Sequence, residues 1–359
     1  MNKQSFAKKE WLRRWWGSLS LTLLAVTLVV FYFIPLPYYI FLPGSAIKLQ
    51  PLIQVSGGHK NEKGTFMLTT VEVVYADNVY TYLFGILQPH HQVYTSEQIS
   101  GGVSNRQYND IETYMMQSAQ QDAVIAAMSF LPKPVHVPGY GVEVISLDSN
   151  SPARLILHPG DVVTKINAVS LAKNPAALYS VLTTAKVGQR VQLTYRRGLK
   201  LLSSTVQLIA LPSLPGQKGH RVGIGFLPAI AQTVTADASV HFHTGEIEGP
   251  SAGLMFTLEI INQLYPHGDL TRGYNVAGTG TMSATGQVGQ IGGAAHKVID
   301  ANAAGADIFF VPADLQKGDT NALHRLQEPK QLGTHMKVVP VRSLSQAIAY
   351  LLHLPPKRS

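Results

Sequence analysis

The 359-residue chain has no cysteine, which excludes disulfides, thiolate metal ligands and a cysteine nucleophile. It is poor in charge: Asp, Glu, Lys and Arg make up 14% of residues against 45% hydrophobic, partly because of one apolar run near the N-terminus. No G-x-x-x-x-G-K-[ST] loop occurs, so the chain lacks that cradle for nucleotide phosphates. The glycines at 278, 280, 286, 289, 292 and 293 do not fit G-x-G-x-x-G either, and they read as tight strand turns. There is no internal repeat and no low-complexity tract. The net charge of +8 invites a nucleic-acid reading, but its distribution argues against one. Lys3, Lys8, Lys9, Arg13 and Arg14, against Glu10, crowd the first sixteen residues, and Lys357 and Arg358 sit at the other end. The remainder is nearly balanced, with no basic stripe, so no nucleic-acid partner is expected. His241 and His243 alternate on one strand and His90-His91 share a loop. Neither pair has a third ligand at suitable spacing, so no metal and no cofactor is expected.

What the chain does have begins with an anchor. Ser18 to Ile34 (SLSLTLLAVTLVVFYFI) is free of charge and stops at Pro35. With its flanks it reaches the ~20 apolar residues that a spanning helix needs. Trp15 and Trp16 stand where an aromatic belt would be, and the basic residues precede the span. The expectation is a basic cytoplasmic tail over 1–17 and a transmembrane helix over 18–36. The rest of the chain would then lie outside the cell membrane, with the lipid bilayer as partner. A cleaved signal peptide is the rival, since Gly44-Ser45-Ala46 offers small residues; it lies beyond Pro35, Pro37 and Pro43.

Beyond the span, Ile47–Val55 and Thr65–Tyr75 read as strands, and Asp110–Met128 reads as a helix with apolar residues at mostly four-residue spacing. Pro132, Pro134 and Pro138 mark one boundary, and Pro212, Pro215, Gly216 and Gly219 a second. Between them lies GVEVISLDSNSPARLILHPGDVVTKINAVSL, residues 141–171: a strand, Ser-Pro-Ala, then Pro-Gly-Asp-Val-Val and a second strand ending at Asn167. This segment resembles a PDZ domain. The resemblance implies a module that adds an extended peptide to an open sheet edge and holds its C-terminal carboxylate. Tyr140-Gly141-Val142-Glu143 is an approximate match to the carboxylate-binding loop, and Pro175–Leu182 reads as the groove helix.

The stretch VHFHTGEIEGPSAGLMFTLEIINQL, residues 240–264, carries the chemistry. Val240–His243 reads as a short strand, and Gly249-Pro250 opens a helix whose apolar face is Leu254, Met255, Leu258, Ile261 and Leu264. Ser251 and Ala252 fall at its N-terminus, where backbone N–H groups and the helix dipole can stabilise an oxyanion. Downstream, Gly292-Gly293 opens a second helix that carries Lys297 near its start and ends at Gly305, ahead of a strand at Ile308–Val311. A lysine at the positive end of a helix and among alanines loses its proton more easily than a solvated one, as a general base must.

Gly249 to Gly253 (Gly-Pro-Ser-Ala-Gly), Thr279 to Ser283, Gly286-Gln287-Val288, Ile291-Gly292-Gly293 and Lys297 together resemble the proteolytic domain of the Lon family. The resemblance implies Ser251 as nucleophile, Lys297 as base, and Thr279 as the residue that orients the lysine. Glu248 stands where that family commonly has Asp, and is expected to shape or gate the site. Asp110–Met128, with its Met-x-x-Ser-Ala pattern, and the strand near Thr69 resemble earlier parts of the same domain. The PDZ-like segment would therefore be inserted within it. The whole chain is similar to the PDZ-containing Lon-like protease family, and too few residues remain for an ATPase module.

The expected architecture is α+β. A single transmembrane helix precedes a first protease segment (44–130), a PDZ-like domain (131–212) and a catalytic part (220–355). The expected function is ATP-independent serine endopeptidase cleavage of unfolded or exposed protein segments outside the membrane. Ser251 and Lys297 are catalytic, Thr279 and Glu248 supporting, and the Ser251 and Ala252 backbone the oxyanion donors. The alternatives are a non-catalytic PDZ-based binding or regulatory protein on a protease scaffold, and a cytoplasm-facing adaptor. Partners are protein or peptide substrates; a homo-oligomeric ring is implied by analogy with Lon domains alone.

Overall fold

The charge-free N-terminal run forms helix α1 (Lys3–Tyr32). It begins well inside the basic tail and stops three residues short of Pro35, which cannot continue a helix. The side chains of its window Trp15–Tyr32 are not buried within the chain. The computed structural model describes residues 3–60, 62–101, 103–211, 221–266, 268–315, 319, 321 and 334–357; the expected breaker cluster at Pro212, Pro215, Gly216 and Gly219 lies outside them.

In chain order the principal elements after α1 are β1 (Tyr38–Lys48), β2 (Thr65–Tyr75), α2 (Val79–Leu87), β3 (Gln92–Thr95) and α3 (Asn105–Phe130). Then come β4 (Gly139–Leu147), β5 (Val162–Ile166), α4 (Ala177–Thr183), β6 (Arg190–Arg197), β7 (Lys200–Gln207) and β8 (Phe226–Gln232). The last are α5 (Gly253–Leu264), β9 (Asn275–Gly278), α6 (Ala294–Ala303), β10 (Ile308–Pro312), β11 (Lys337–Val341) and α7 (Leu344–His353). The strand read over Ile47–Val55 is broken by a turn containing Pro51; β1 precedes that turn and Ile53–Val55 follows it. Helix α3 is longer than the periodicity indicates, because Ser104 and Gln107 form a reciprocal capping box ahead of it.

Two compact units divide the chain: residues 1–44 with 71–102, and residues 45–70 with 103–359. In the first, β1 pairs antiparallel with β3 through Tyr38↔Thr95 to Phe41↔Gln92, and α2 packs beside α1.

The second unit contains a parallel array in the order β11-β10-β9-β2, with Val276–Gly278 of β9 and all of β10 buried. Residues 65–68 of β2 pair with 275–278 of β9, so segments two hundred residues apart share one sheet. Helix α3 packs along α5, and Met116, Ala123 and Ala127 share one buried cluster with Leu254, Leu258 and Ile261. Helix α5 is buried all round from Gly253 to Gln263, not on one face alone. Gln263 on it donates to the Ile53 carbonyl and accepts from the Val55 N–H, and Asn262 Oδ1 accepts from the Leu270 N–H. Burial, with the nearby Glu62 carboxyl, pushes Glu259 up to about 9, so it sits in the core as a neutral acid.

Between α3 and α5 in sequence lies a separate sheet in the order β7-β6-β5-β4-β8, around a core of Val144, Val163, Ile166, Leu193 and Leu208. The Pro159-Gly160-Asp161 turn is fixed by Asp161, whose buried carboxylate accepts from Arg197 Nε and Nη2 at 2.8 Å and from the His158 N–H. The sheet does not end at residue 212: β8 pairs antiparallel with β4, from Phe226↔Leu147 to Gln232↔Gly139, and completes it. Within Tyr140-Gly141-Val142-Glu143, the approximate match to the carboxylate-binding loop, Val142 and Glu143 are paired on both sides, by β5 and β8. The edges of this sheet are β7 and β8, and Pro228 lies on β8, where an edge strand tolerates the missing N–H. Helix α4 packs against the segment leading into that strand, through Leu178 and Val181 against Val222, Ile224 and Phe226.

Leu258→Ala removes a fully buried side chain from α5, and should lower the unfolding free energy by about 2–5 kcal/mol. Urea denaturation of the protein provides the measurement, with a lower midpoint at an unchanged slope as the expected result.

Candidate active site

Helix α5 is entered through a single 3-10 turn, Pro250–Ala252, so the α-helix proper starts at Gly253, two residues after Ser251. Pro250 suits this first turn because it has no N–H to leave unsatisfied. Gly249 lies at φ +84°, and a Cβ there would meet Glu112 Oε2 at 2.8 Å. Gly253 lets the turn approach the Thr281–Met282 strand, since a Cβ would stand 2.8 Å from the Met282 nitrogen. The two glycines of the Gly-Pro-Ser-Ala-Gly motif thus set where Ser251 points.

The loop that follows β9 is stitched to this turn by its backbone. The Gly280 N–H donates to the Ser251 carbonyl at 2.8 Å and the Leu254 N–H to the Gly280 carbonyl at 3.0 Å. The Thr279 N–H donates to the Phe310 carbonyl on β10, and Thr279 Oγ1 donates to the Ser251 carbonyl at 3.1 Å. Thr279 is wholly buried.

Lys297 occupies the fourth position of α6, with Gly293 as N-cap in the left-handed region. Its side chain is 3% exposed, and Nζ donates to Ser251 Oγ at 2.5 Å and to Thr279 Oγ1 at 3.2 Å. Burial lowers the Lys297 pKa from its ordinary 10.5 to about 8, with the Asp300 carboxylate one turn along α6 opposing that shift. At pH 7 about a tenth of such amines are neutral, against roughly three in ten thousand for an ordinary lysine. Ser251, Thr279 and Lys297, far apart in sequence, therefore meet within hydrogen-bond distance. A partly neutral amine against a hydroxyl is an arrangement that can take up the hydroxyl proton.

Glu248 is not part of that contact. It lies exposed on the preceding loop, where Oε1 accepts from Thr113 Oγ1 on α3 at 3.0 Å. Beside it, Glu112 accepts the Gly249 N–H with its carbonyl at 3.2 Å, and its carboxyl is raised above the ordinary range by burial, opposed by Tyr108, with Glu248 adding to the rise. Glu112, Thr113 and Asp300 are the site neighbours that motif reading passed over. Asp300 stands three residues after Lys297 on one helix, a spacing that was open to inspection. The role of α3 at the site carries no local signal, because it depends on the packing of α3 on α5. The Ser251 and Ala252 backbone lies in the 3-10 turn, with the Gly253 N–H already given to the Pro250 carbonyl.

Two family models match the chain. Residues 228–354 match the Lon protease (S16) C-terminal proteolytic domain, and residues 106–208 match a PDZ domain. The two matches together support a PDZ-containing Lon-like protease. The Lon-like match begins inside β8, the strand that closes the PDZ sheet, and the PDZ match begins inside α3, which packs on α5. The chain is 32% identical over 121 residues to the Lon protease of Neorickettsia sennetsu, covering 33% of this chain and 14% of that one. It is 29% identical over 125 residues to the Lon protease of Metamycoplasma arthritidis, covering 34% and 14%. The chain thus spans about a seventh of either relative's length. The PDZ domain of an SdrC-like protein from Listeria monocytogenes is 30% identical, covering 24% of this chain and 86% of that one, with a TM-score of 0.22.

The buried amine has a consequence for stability. A lysine whose folded pKa is below its unfolded value binds fewer protons when folded between pH 8 and 10.5, so its cost is full below pH 8 and vanishes as pH rises past 10.5. The gap in unfolding free energy between the parent and Lys297→Met should therefore move in the parent's favour by up to about 3 kcal/mol from pH 7 to pH 10.5. Urea titrations of both proteins at the two pH values provide the check.

Proposed function

We infer that this Lon-like protein is a serine endopeptidase working through Ser251 and Lys297. The observation that carries the reading is the buried Lys297 amine, with its pKa lowered to about 8, placed 2.5 Å from Ser251 Oγ. Neutral Lys297 accepts the Ser251 proton while Oγ attacks the scissile carbonyl, and the backbone N–H groups of Ser251 and Ala252 hold the oxyanion. The lysine ammonium then gives that proton to the leaving amine as the acyl-enzyme forms. A water molecule repeats the sequence and frees the acid and Ser251. Thr279 keeps the amine aimed, since its Oγ1 accepts from Nζ while donating to the Ser251 carbonyl. Glu248, held by Thr113, shapes the approach to Ser251.

The reaction needs no nucleotide, because hydrolysis of an extended peptide bond requires only the groups just named. Substrates are therefore unfolded or exposed protein segments. The PDZ domain binds substrate tails by strand addition along β8, beside α4. Helix α1 anchors the chain in the membrane, and the basic residues before it set the N-terminus in the cytoplasm.

The test is cleavage of an unfolded protein without nucleotide by the parent, Ser251→Ala, Lys297→Ala and Thr279→Val. Ser251→Ala and Lys297→Ala should each lose at least about a thousandfold in kcat/KM. Thr279→Val removes one hydrogen bond to the amine, worth about tenfold to a hundredfold. The parent rate should rise about tenfold per pH unit and level off near pH 8, as the neutral amine is the active form. Loss of the Thr279 acceptor disfavours the ammonium and should move that inflection lower. Cleavage that survives Lys297→Ala would contradict the assignment, and a parent that cleaves nothing would favour the non-catalytic binding protein.

A further inference from the structure

Within the first unit, helix α2 exposes a surface that the protease chemistry does not use. Leu83, Phe84, Ile86 and Leu87 all face outward, and Leu87 is 75% exposed. The opposite side is sealed, with Gly85 packed so closely on Ile40 that a Cβ would lie 2.8 Å from its side chain. From Asp77 to Glu97 the sequence has no Asp, Glu, Lys or Arg between those two residues. A soluble surface helix ordinarily turns charge outward and apolar residues inward, and α2 presents the reverse.

Its neighbour identifies what covers it. Tyr80 Oη donates to the Leu28 carbonyl of α1 at 2.6 Å, four residues before α1 ends at Tyr32. At 1.5 Å per residue this contact lies about 6 Å inside the end of that helix. The apolar window Trp15–Tyr32 is 18 residues long, so it spans about 27 Å, slightly under the ~30 Å of a hydrocarbon core. Exposed Phe33, Ile34 and the outer face of α2 extend the apolar surface where the window stops. Around them stand the rings expected at a membrane–water boundary: Tyr38 lies 4.8 Å from Tyr82, Tyr39 lies 5.4 Å from Tyr75, and Phe41 lies 5.1 Å from Tyr94.

We propose that α2 is a second membrane element, lying in the outer interfacial layer of the bilayer beside the end of α1, with Leu83, Phe84, Ile86 and Leu87 among the acyl chains. This rests on α1 being the membrane anchor. With no basic residue on α2, its insertion depends on apolar burial alone, so neither anionic lipid nor low salt is required.

Because the chain has no cysteine, single probes can be introduced into the full-length protein. Val26→Cys, Phe84→Cys and Leu87→Cys, each carrying an environment-sensitive fluorophore, are reconstituted in phosphatidylcholine vesicles. Quenching by lipid-borne nitroxide is then compared with quenching by aqueous iodide. The expected result is strong lipid quenching at all three positions. At Phe84 and Leu87 a nitroxide near the headgroup should quench more than one deep in the acyl chains, iodide should have little effect, and the pattern should persist at high salt. Lipid quenching at Val26 with iodide quenching at Phe84 and Leu87 would overturn the proposal and leave the anchor standing. Protection of Phe84 and Leu87 from both quenchers would overturn it in favour of a protein cover. Absence of lipid quenching at Val26 would overturn the anchor and the proposal together.

Discussion

Lys297 is kept from water by α6, the Thr279 loop and the turn that carries Ser251, and the rest of the site follows from that burial. Desolvating one ammonium costs about 3 kcal/mol when its pKa falls from 10.5 to about 8. That cost is tolerable because the surrounding core is extensive: α5 is buried along nearly its whole length, and β9 and β10 are buried within the parallel array. Two hydroxyls meet the amine, those of Ser251 and Thr279. The same dry surroundings that make the lysine costly make it a better base at neutral pH.

The motif glycines serve that arrangement through backbone geometry. Gly249 takes a left-handed conformation against Glu112, and Gly253 allows the Ser251 turn to close on Met282. The Ser251 carbonyl receives both the Gly280 N–H and Thr279 Oγ1, so one residue of the turn is fixed by two groups of the next loop. Ser251 is therefore positioned by neighbours on three elements, and substitution in any of them acts on the distance to Lys297. The PDZ sheet depends on a different device, the buried Asp161–Arg197 pair that holds the Pro-Gly turn.

Legibility from sequence followed the range of the interactions. Ser251, Thr279 and Lys297 could be read because each sits in a glycine-rich motif whose backbone needs restrict composition. Helix α3 and strand β2 were readable because periodicity and β-branched residues are local signals. The PDZ sheet edge was not: β8 follows a breaker cluster, and only tertiary pairing with β4 shows that it completes the sheet. Pro51, whose missing N–H is a local reason for a break, lies in the turn that interrupts the Ile47–Val55 strand. The contact of Glu248 with Thr113, across 135 positions, has no sequence signature at all.

The most direct measurement is the titration of Lys297 itself, by the 13Cε resonance of labelled lysine in the protein, assigned by its loss in Lys297→Arg. A midpoint near pH 8, well separated from the other lysines, is the result that the buried base predicts. A midpoint above 10, in the range of solvated lysines, would contradict it: the amine would then be an ammonium at neutral pH, with no capacity to take the Ser251 proton.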